Sequence, residues 1–148
     1  MKSLLTALAL FVAATAFAGP PAGITSLKAA IKAARTQGKF LFVQLGRENC
    51  GNCQQLKSMI TKNELPLSDT RYIYADVDFD DLSTFDLFNR HFKADGEYLP
   101  FVVIAAPDGT QLAAHTGSGT VKDYKQLIND AEKAAAKMTA SQAAAKKK

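Results

Sequence analysis

Hydrophobic and polar positions along this chain repeat with two different periods, and each change of period marks a new element. Ile24, Leu27, Ile31 and Ala34 recur at helical spacing, with Thr25 or Ser26 placed to cap the first turn and Gly38 suited to stop the last. Residues 40–45, Phe-Leu-Phe-Val-Gln-Leu, form a nearly continuous apolar run too short for helical periodicity, which is how a strand buried on both faces reads. This run is expected to be the central strand. Leu56, Met59 and Ile60 then mark the inward face of a helix that stops before Pro66. Residues 71–77 read as a second strand, and Leu82, Phe85, Phe88 and Phe92 lie along one side of a second crossover helix, a stripe expected to be core. After Pro100, residues 101–105 and 111–116 flank Pro107-Asp108-Gly109 and read as an antiparallel hairpin, followed by a last helix over residues 121–136. The Pro and Gly content of residues 19–23 leaves no strand expected ahead of the first helix. Alternating strands and helices require parallel pairing, so the pattern predicts an α/β fold: a mixed four-stranded sheet sandwiched by helices in three layers, βαβαββα after a leading helix.

Residues 1–18 follow a different logic. Lys2 supplies a positive start, residues 4–17 are almost unbroken apolar chain, and Ala16-Phe17-Ala18 places small residues where a signal peptidase reads them. A cleaved signal peptide is expected, with an uncleaved membrane anchor as the competing reading. The run is shorter than the roughly 20 residues that cross a bilayer as a helix, and no cysteine follows the cleavage site to accept a lipid. The mature protein is therefore expected in the periplasm or secreted, with no stable membrane span. Residues 19–136 make one domain, large enough to bury roughly two-thirds of the surface its unfolded chain exposes. Residues 137–148 are Ala and Lys-rich, end in Lys146-Lys147-Lys148, and are expected to be a fraying helical extension that passes into a disordered, solubilising tail. Losing Lys2 takes the 18 basic residues to 17 against 14 acidic ones. That small excess is too weak to argue for nucleic acid.

The candidate chemistry is Cys50-Gly51-Asn52-Cys53, where the buried strand gives way to a helix. A domain of this size needs no disulfide for stability, and a bridge closing so short a loop restrains the unfolded chain little. In an oxidising compartment most cysteine pairs join distant segments, so a lone short-range pair points to chemistry. A helix N-terminus is electropositive and stabilises a thiolate at Cys50, the attacking species. Cys53, one turn further in, is positioned to attack the mixed disulfide once Cys50 has captured a substrate sulfur. An inert or regulatory disulfide and metal transfer are the alternatives. A CxxC pair is also half of a zinc site, but His91 and His115 have no partner at metal-ligand spacing, so no structural metal is expected, while a two-sulfur copper(I) site stays open.

Residues 39–134 resemble the thioredoxin superfamily in the order of their landmarks. The strand before the CxxC pair, Leu99-Pro100-Phe101 and Gly117 fall where that family has its leading strand, its cis-proline and the glycine that ends the following hairpin. The resemblance implies a cis peptide bond at Pro100, facing the cysteines, and a Leu99 backbone that pairs with an extended substrate segment. Gly51, Asn52, Leu99, Pro100 and Gly117 are the implied substrate-binding residues beside the catalytic Cys50 and Cys53. The implied activity is exported thiol-disulfide exchange with protein thiols or disulfides, by a monomer that needs no cofactor beyond its redox-active disulfide and works with a redox partner protein. A non-catalytic binding module, or a copper(I)-handling protein using the same pair, is the alternative.

Three positions depart from the family pattern. Asn49 stands where many members carry Trp, Asn52 where thioredoxin has Pro, and Gln44 where many members bury an acid that takes the proton of the second thiol. Redox direction is therefore open. Asp76, Asp78, Asp80 and Asp81 superficially suggest a calcium loop, but Asp81 occupies the position that requires Gly and Leu87 the one that requires Glu. A strand end followed by a helix cap is the expected arrangement. Residues 93–98 form a polar connection that is either one rim of the substrate groove or a plain link.

Overall fold

A computed structural model describes residues 18–94 and 96–146. Most of the expected signal peptide lies outside the described residues, as do Lys147 and Lys148. Among the described residues no helix is long and apolar enough to cross a membrane.

The element order is β1 (Gly23–Ile24), α1 (Leu27–Gln37), β2 (Phe40–Gly46), α2 (Gly51–Thr61), β3 (Tyr72–Asp78), α3 (Leu82–His91), β4 (Phe101–Ala105), β5 (Gln111–Thr116) and α4 (Val121–Ala145). They build one sheet in the order β1-β3-β2-β4-β5, parallel for β1-β3 and β3-β2, antiparallel for β2-β4 and β4-β5. The residues 40–45 run is the central strand, as its two-sided apolar pattern requires. The sheet has five strands rather than the expected four. Two residues of the Pro and Gly-rich entry segment pair alongside Tyr74 and Ala75, an addition too short for any hydrophobic period to reveal. Gly23 suits that close approach, since a Cβ there would stand 3.3 Å from both the Asp76 Cβ and the Tyr74 ring.

Alternation along the strands sends side chains to two cores. Phe42, Tyr72, Tyr74, Val102 and Ile104 pack under α2 and α4, against Leu56, Ile60, Leu127 and Ile128. Leu41, Val43, Leu45, Ile73, Ala75 and Val103 pack under α1 and α3, against Leu27, Ala30, Phe88 and Phe92. The three layers follow from a sheet that is apolar on both faces.

Local chemistry sets the helix ends. Ser26 caps α1 and Gly38 closes it in the left-handed conformation, φ +63°, which an L side chain disfavours. Asp81 caps α3, and Thr120 and Asp123 make a reciprocal capping box at α4. Two expectations are corrected. Leu82 is 77% exposed rather than part of the core stripe, because side chains tilt toward the helix N-terminus and that of the first residue points past the end of α3. The last helix does not stop at residue 136; the helical extension expected beyond it is present. It continues to Ala145, through a stretch in which Ala, Lys, Met and Gln, strong helix formers, outnumber Thr139 and Ser141, although residues 139–146 are exposed throughout.

Candidate functional site

The candidate site lies at the C-terminal end of β2, where the chain turns through Arg47, Glu48 and Asn49 into α2. Cys50 is the N-cap of that helix in extended conformation, and its Sγ accepts from the Cys53 backbone N–H at 3.2 Å. The first turn therefore presents its free N–H groups to the sulfur, the arrangement in which a helix terminus favours negative charge. The two cysteines form a disulfide across a Cα separation of 5.2 Å. Their exposure differs: Cys50 is partly exposed, while Cys53 is 2% exposed. One sulfur can be reached from solution and the other is held behind it.

The buried sulfur is accommodated by an absence. A Cβ on Gly46, the last residue of β2, would stand 2.8 Å from the Cys53 Sγ and 3.1 Å from its Cβ, so only glycine leaves room for the disulfide beneath the helix. Behind it, Gln44 is 2% exposed and fully engaged. Its Nε2 donates to the Cys53 carbonyl at 2.8 Å, and its Oε1 accepts from the Tyr74 hydroxyl at 2.8 Å. Burial, and secondarily the charge of Asp76, push the Tyr74 phenol well above its ordinary range, so it stays protonated and keeps donating. The neutral Gln44–Tyr74 pair fixes the Cys53 backbone without offering a base.

The Leu99-Pro100 peptide bond is cis. Pro100 is buried, its carbonyl accepts from the Gly117 N–H at 3.0 Å, and Gly117 takes φ +78° after β5. The Asn52 side chain reaches the Leu99 carbonyl at 3.4 Å, which ties the cis-proline loop to the first turn of α2. Residues Cys50, Asn52, Cys53, Leu99, Pro100 and Gly117 thus belong to one connected region; Gly51 opens α2 between the cysteines and is exposed. Tyr98, 72% exposed, stands beside Gly117, its Cβ 3.5 Å from where a Gly117 Cβ would be.

The acidic cluster holds the expected strand end and cap. Asp78 accepts from the Asp80 N–H, Asp80 pairs with Arg47 at 2.8 Å, and Asp81 caps α3 through Ser83. Arg47 also lies over the Phe79 ring, 4.7 Å from its centroid. His91 ends α3 on the surface, and His115 contacts the Ser118 carbonyl and the Tyr124 ring. Among the described residues, no group of three or more His, Cys, Asp and Glu could hold a metal ion. A groove of about 640 Å³ between the first half of α1 and the length of α3, lined by Ser26, Lys28, Ser83 and Arg90 among others, contains neither cysteine.

Gly46, Tyr74 and the Asp76–Lys57 ion pair escaped the sequence reading. Gly46 alone left a trace, as a glycine closing an otherwise apolar strand.

With this geometry in place, comparison with known proteins is direct. The model of the Thioredoxin-like family matches residues 23–107, more than half of the chain, and the chain belongs to that family. No curated protein sequence matches it. Among solved structures, it is similar to a mutant thioredoxin from Halobacterium salinarum NRC-1, at 20% identity and a TM-score of 0.57 over 76% of this chain and 93% of that one. A wild-type thioredoxin h from poplar matches at 19% identity and a TM-score of 0.53, over 75% and 96%. The thioredoxin f2 solved in complex with ferredoxin:thioredoxin reductase matches at 15% identity and a TM-score of 0.53, over 79% and 99%. Identities this low show the fold alone. That fold with a CxxC disulfide suggests thiol-disulfide redox chemistry.

Proposed function

We propose that this protein is an exported thiol-disulfide oxidoreductase that exchanges its Cys50-Cys53 disulfide with cysteines of other proteins. The observation that carries the reading is the asymmetry of the pair: Cys50 accessible at the N-cap of α2, Cys53 sealed one turn behind it. In the reducing direction the Cys50 thiolate attacks a substrate disulfide, forming a mixed disulfide and releasing one substrate thiolate. Cys53 then attacks Cys50, re-forms the internal disulfide and releases the second. The oxidising direction is the same path reversed. The bridge itself is the redox group, with no further cofactor.

Gly51, Asn52, Leu99, Pro100 and Gly117 form the proposed substrate ledge. In this reading an extended segment displaces the 3.4 Å contact of Asn52 on the Leu99 carbonyl and pairs with that backbone. The protein acts as a monomer in the periplasm or outside the cell, and is reset by a redox partner, the kind of association in which thioredoxin f2 was solved with its reductase.

Reduced protein incubated with a model disulfide, and oxidised protein with a dithiol, test the reading together. Turnover in at least one direction, abolished in Cys50→Ser, is expected. No exchange in either direction, or full activity in the host from a Cys50→Ser, Cys53→Ser double variant, contradicts it and leaves a binding module or a copper(I) carrier. A reduction potential near about −270 mV then assigns a reductase, and one near about −120 mV an oxidant.

A further inference from the structure

The buried residue behind Cys53 is Gln44, which takes no proton, and Tyr74 behind it keeps its own. Yet the resolving step needs the Cys53 thiol to lose one, because the thiolate is the nucleophile. The sheet register shows where a base stands. Gln44 on β2 is directly paired with Asp76 on β3, and side chains at paired positions lie on the same face of a sheet. That face is the one covered by α2. Lys57 lies four residues after Cys53 on α2, hence on the same side of the helix, and its Nζ is 2.6 Å from the Asp76 Oδ2. Asp76 thus stands on the Cys53 side of the sheet by two independent observations: it is the strand neighbour of Gln44, which holds the Cys53 carbonyl, and it pairs with Lys57 one turn further along the helix from Cys53. Its side chain is 20% exposed, open enough to return a proton to solvent.

We propose that Asp76, held by Lys57, is the proton acceptor that serves Cys53 in the resolving step. The proposal rests on the exchange reading above. The Cys53 S–H gives its proton, relayed by water, to the Asp76 carboxylate. The resulting thiolate attacks the Cys50 Sγ of the mixed disulfide, the Cys50–substrate bond breaks, and the electron pair leaves with the substrate as a thiolate. Cys53 and Cys50 end oxidised to their disulfide, the substrate sulfur ends reduced, and Asp76 returns its proton to water. In the opposite direction the protonated carboxyl supplies the proton to the departing Cys53 sulfur.

The charged and titratable groups around Asp76 are few. Lys57 comes from α2, and Tyr74, whose phenol feels the Asp76 charge, from its own strand; Cys53 stands one turn before Lys57 on α2. β2 contributes neutral Gln44, and β1 contributes Gly23, where a Cβ would crowd the Asp76 Cβ at 3.3 Å. Asp78, the next acid along the strand, is committed to the Asp80 N–H at 2.9 Å.

The test is stopped-flow reaction of the full mature chain, reduced, with an aromatic disulfide whose thiolate is coloured. The first thiolate released reports attack by Cys50, and the second reports attack by Cys53. Asp76→Asn is expected to slow the second release at neutral pH by at least about tenfold and leave the first within about twofold, with Asp76→Glu restoring most of the rate. Lys57→Met, which removes the partner that holds the Asp76 carboxylate in place, is expected to slow the second release while leaving the first within about twofold. An unchanged second release in Asp76→Asn, an unchanged second release in Lys57→Met, or equal slowing of both releases would overturn the proposal. Wild-type protein that releases only one equivalent overturns the exchange reading itself, a result distinct from all three.

Discussion

Gly46 illustrates how one residue can set the chemistry of another. The Cβ that any other residue would carry falls 2.8 Å from the Cys53 Sγ, a distance at which one of the two must move. In the disulfide that sulfur is tethered to Cys50 and cannot rotate away, whereas in the dithiol it can. Gly46→Ala is therefore expected to destabilise the oxidised protein by about 1–3 kcal/mol and the reduced protein by less. The difference raises the reduction potential, since about 30 mV corresponds to about 1.4 kcal/mol for a two-electron couple. Thermal unfolding of both redox forms checks this, and equal losses in the two would show that the clash is relieved elsewhere. Little of this was legible in the chain. The cysteines, Pro100 and Gly117 announced themselves through residue type and spacing, but Gly46 acts through a contact with a residue seven positions on, and Tyr74 through a side-chain bond across thirty. No local pattern encodes such pairings.

At the scale of elements, periodicity and caps were read well because they are local. The apolar run of β2, the α1 stripe from Leu27 onward with its Gly38 stop, and the β4-β5 hairpin all lie where the pattern put them, whereas Ile24, expected to start the α1 stripe, belongs to β1. Where reading failed, a different force decided: β1 exists through pairing to β3, and α4 outruns its apolar face on intrinsic propensity. The caps and the β4-β5 turn also govern the pH response. The hydroxyl of Ser83 holds Asp81 below the ordinary carboxylate range, the backbone N–H of Thr110 does so for Asp108, and the backbone N–H of Thr120 for Asp123. Each folded-state pKa is depressed, so its stabilisation is complete above the ordinary value of 3.8 and is lost as pH falls through the folded value. Unfolding by urea should show constant stability above about pH 5 and a decline below about pH 4, less steep in Asp123→Asn. A decline as steep in that variant would remove the α4 cap from the account.

At the scale of the whole molecule, the fold brings three remote segments together: the turn after β2, the cis-proline loop before β4 and the end of β5. The order of those landmarks was visible in the chain, as were the two-faced central strand and its crossovers, which is why the architecture could be anticipated. The Asp76–Lys57 pair was not, because it depends on β2-β3 register and on the rotation of α2 about its axis together. The same assembly yields the feature on which the proposed function rests, one sulfur offered at a helix mouth and its partner enclosed. The most direct measurement is the titration of Cys50 in reduced protein, followed by alkylation rate against pH, with Cys53 followed alongside by mass spectrometry. The account predicts half-maximal reactivity of Cys50 well below the free-thiol value of about 8.5, with Cys53 unmodified in the folded state. A Cys50 that titrates like a free thiol, or two cysteines that alkylate at equal rates, would contradict it.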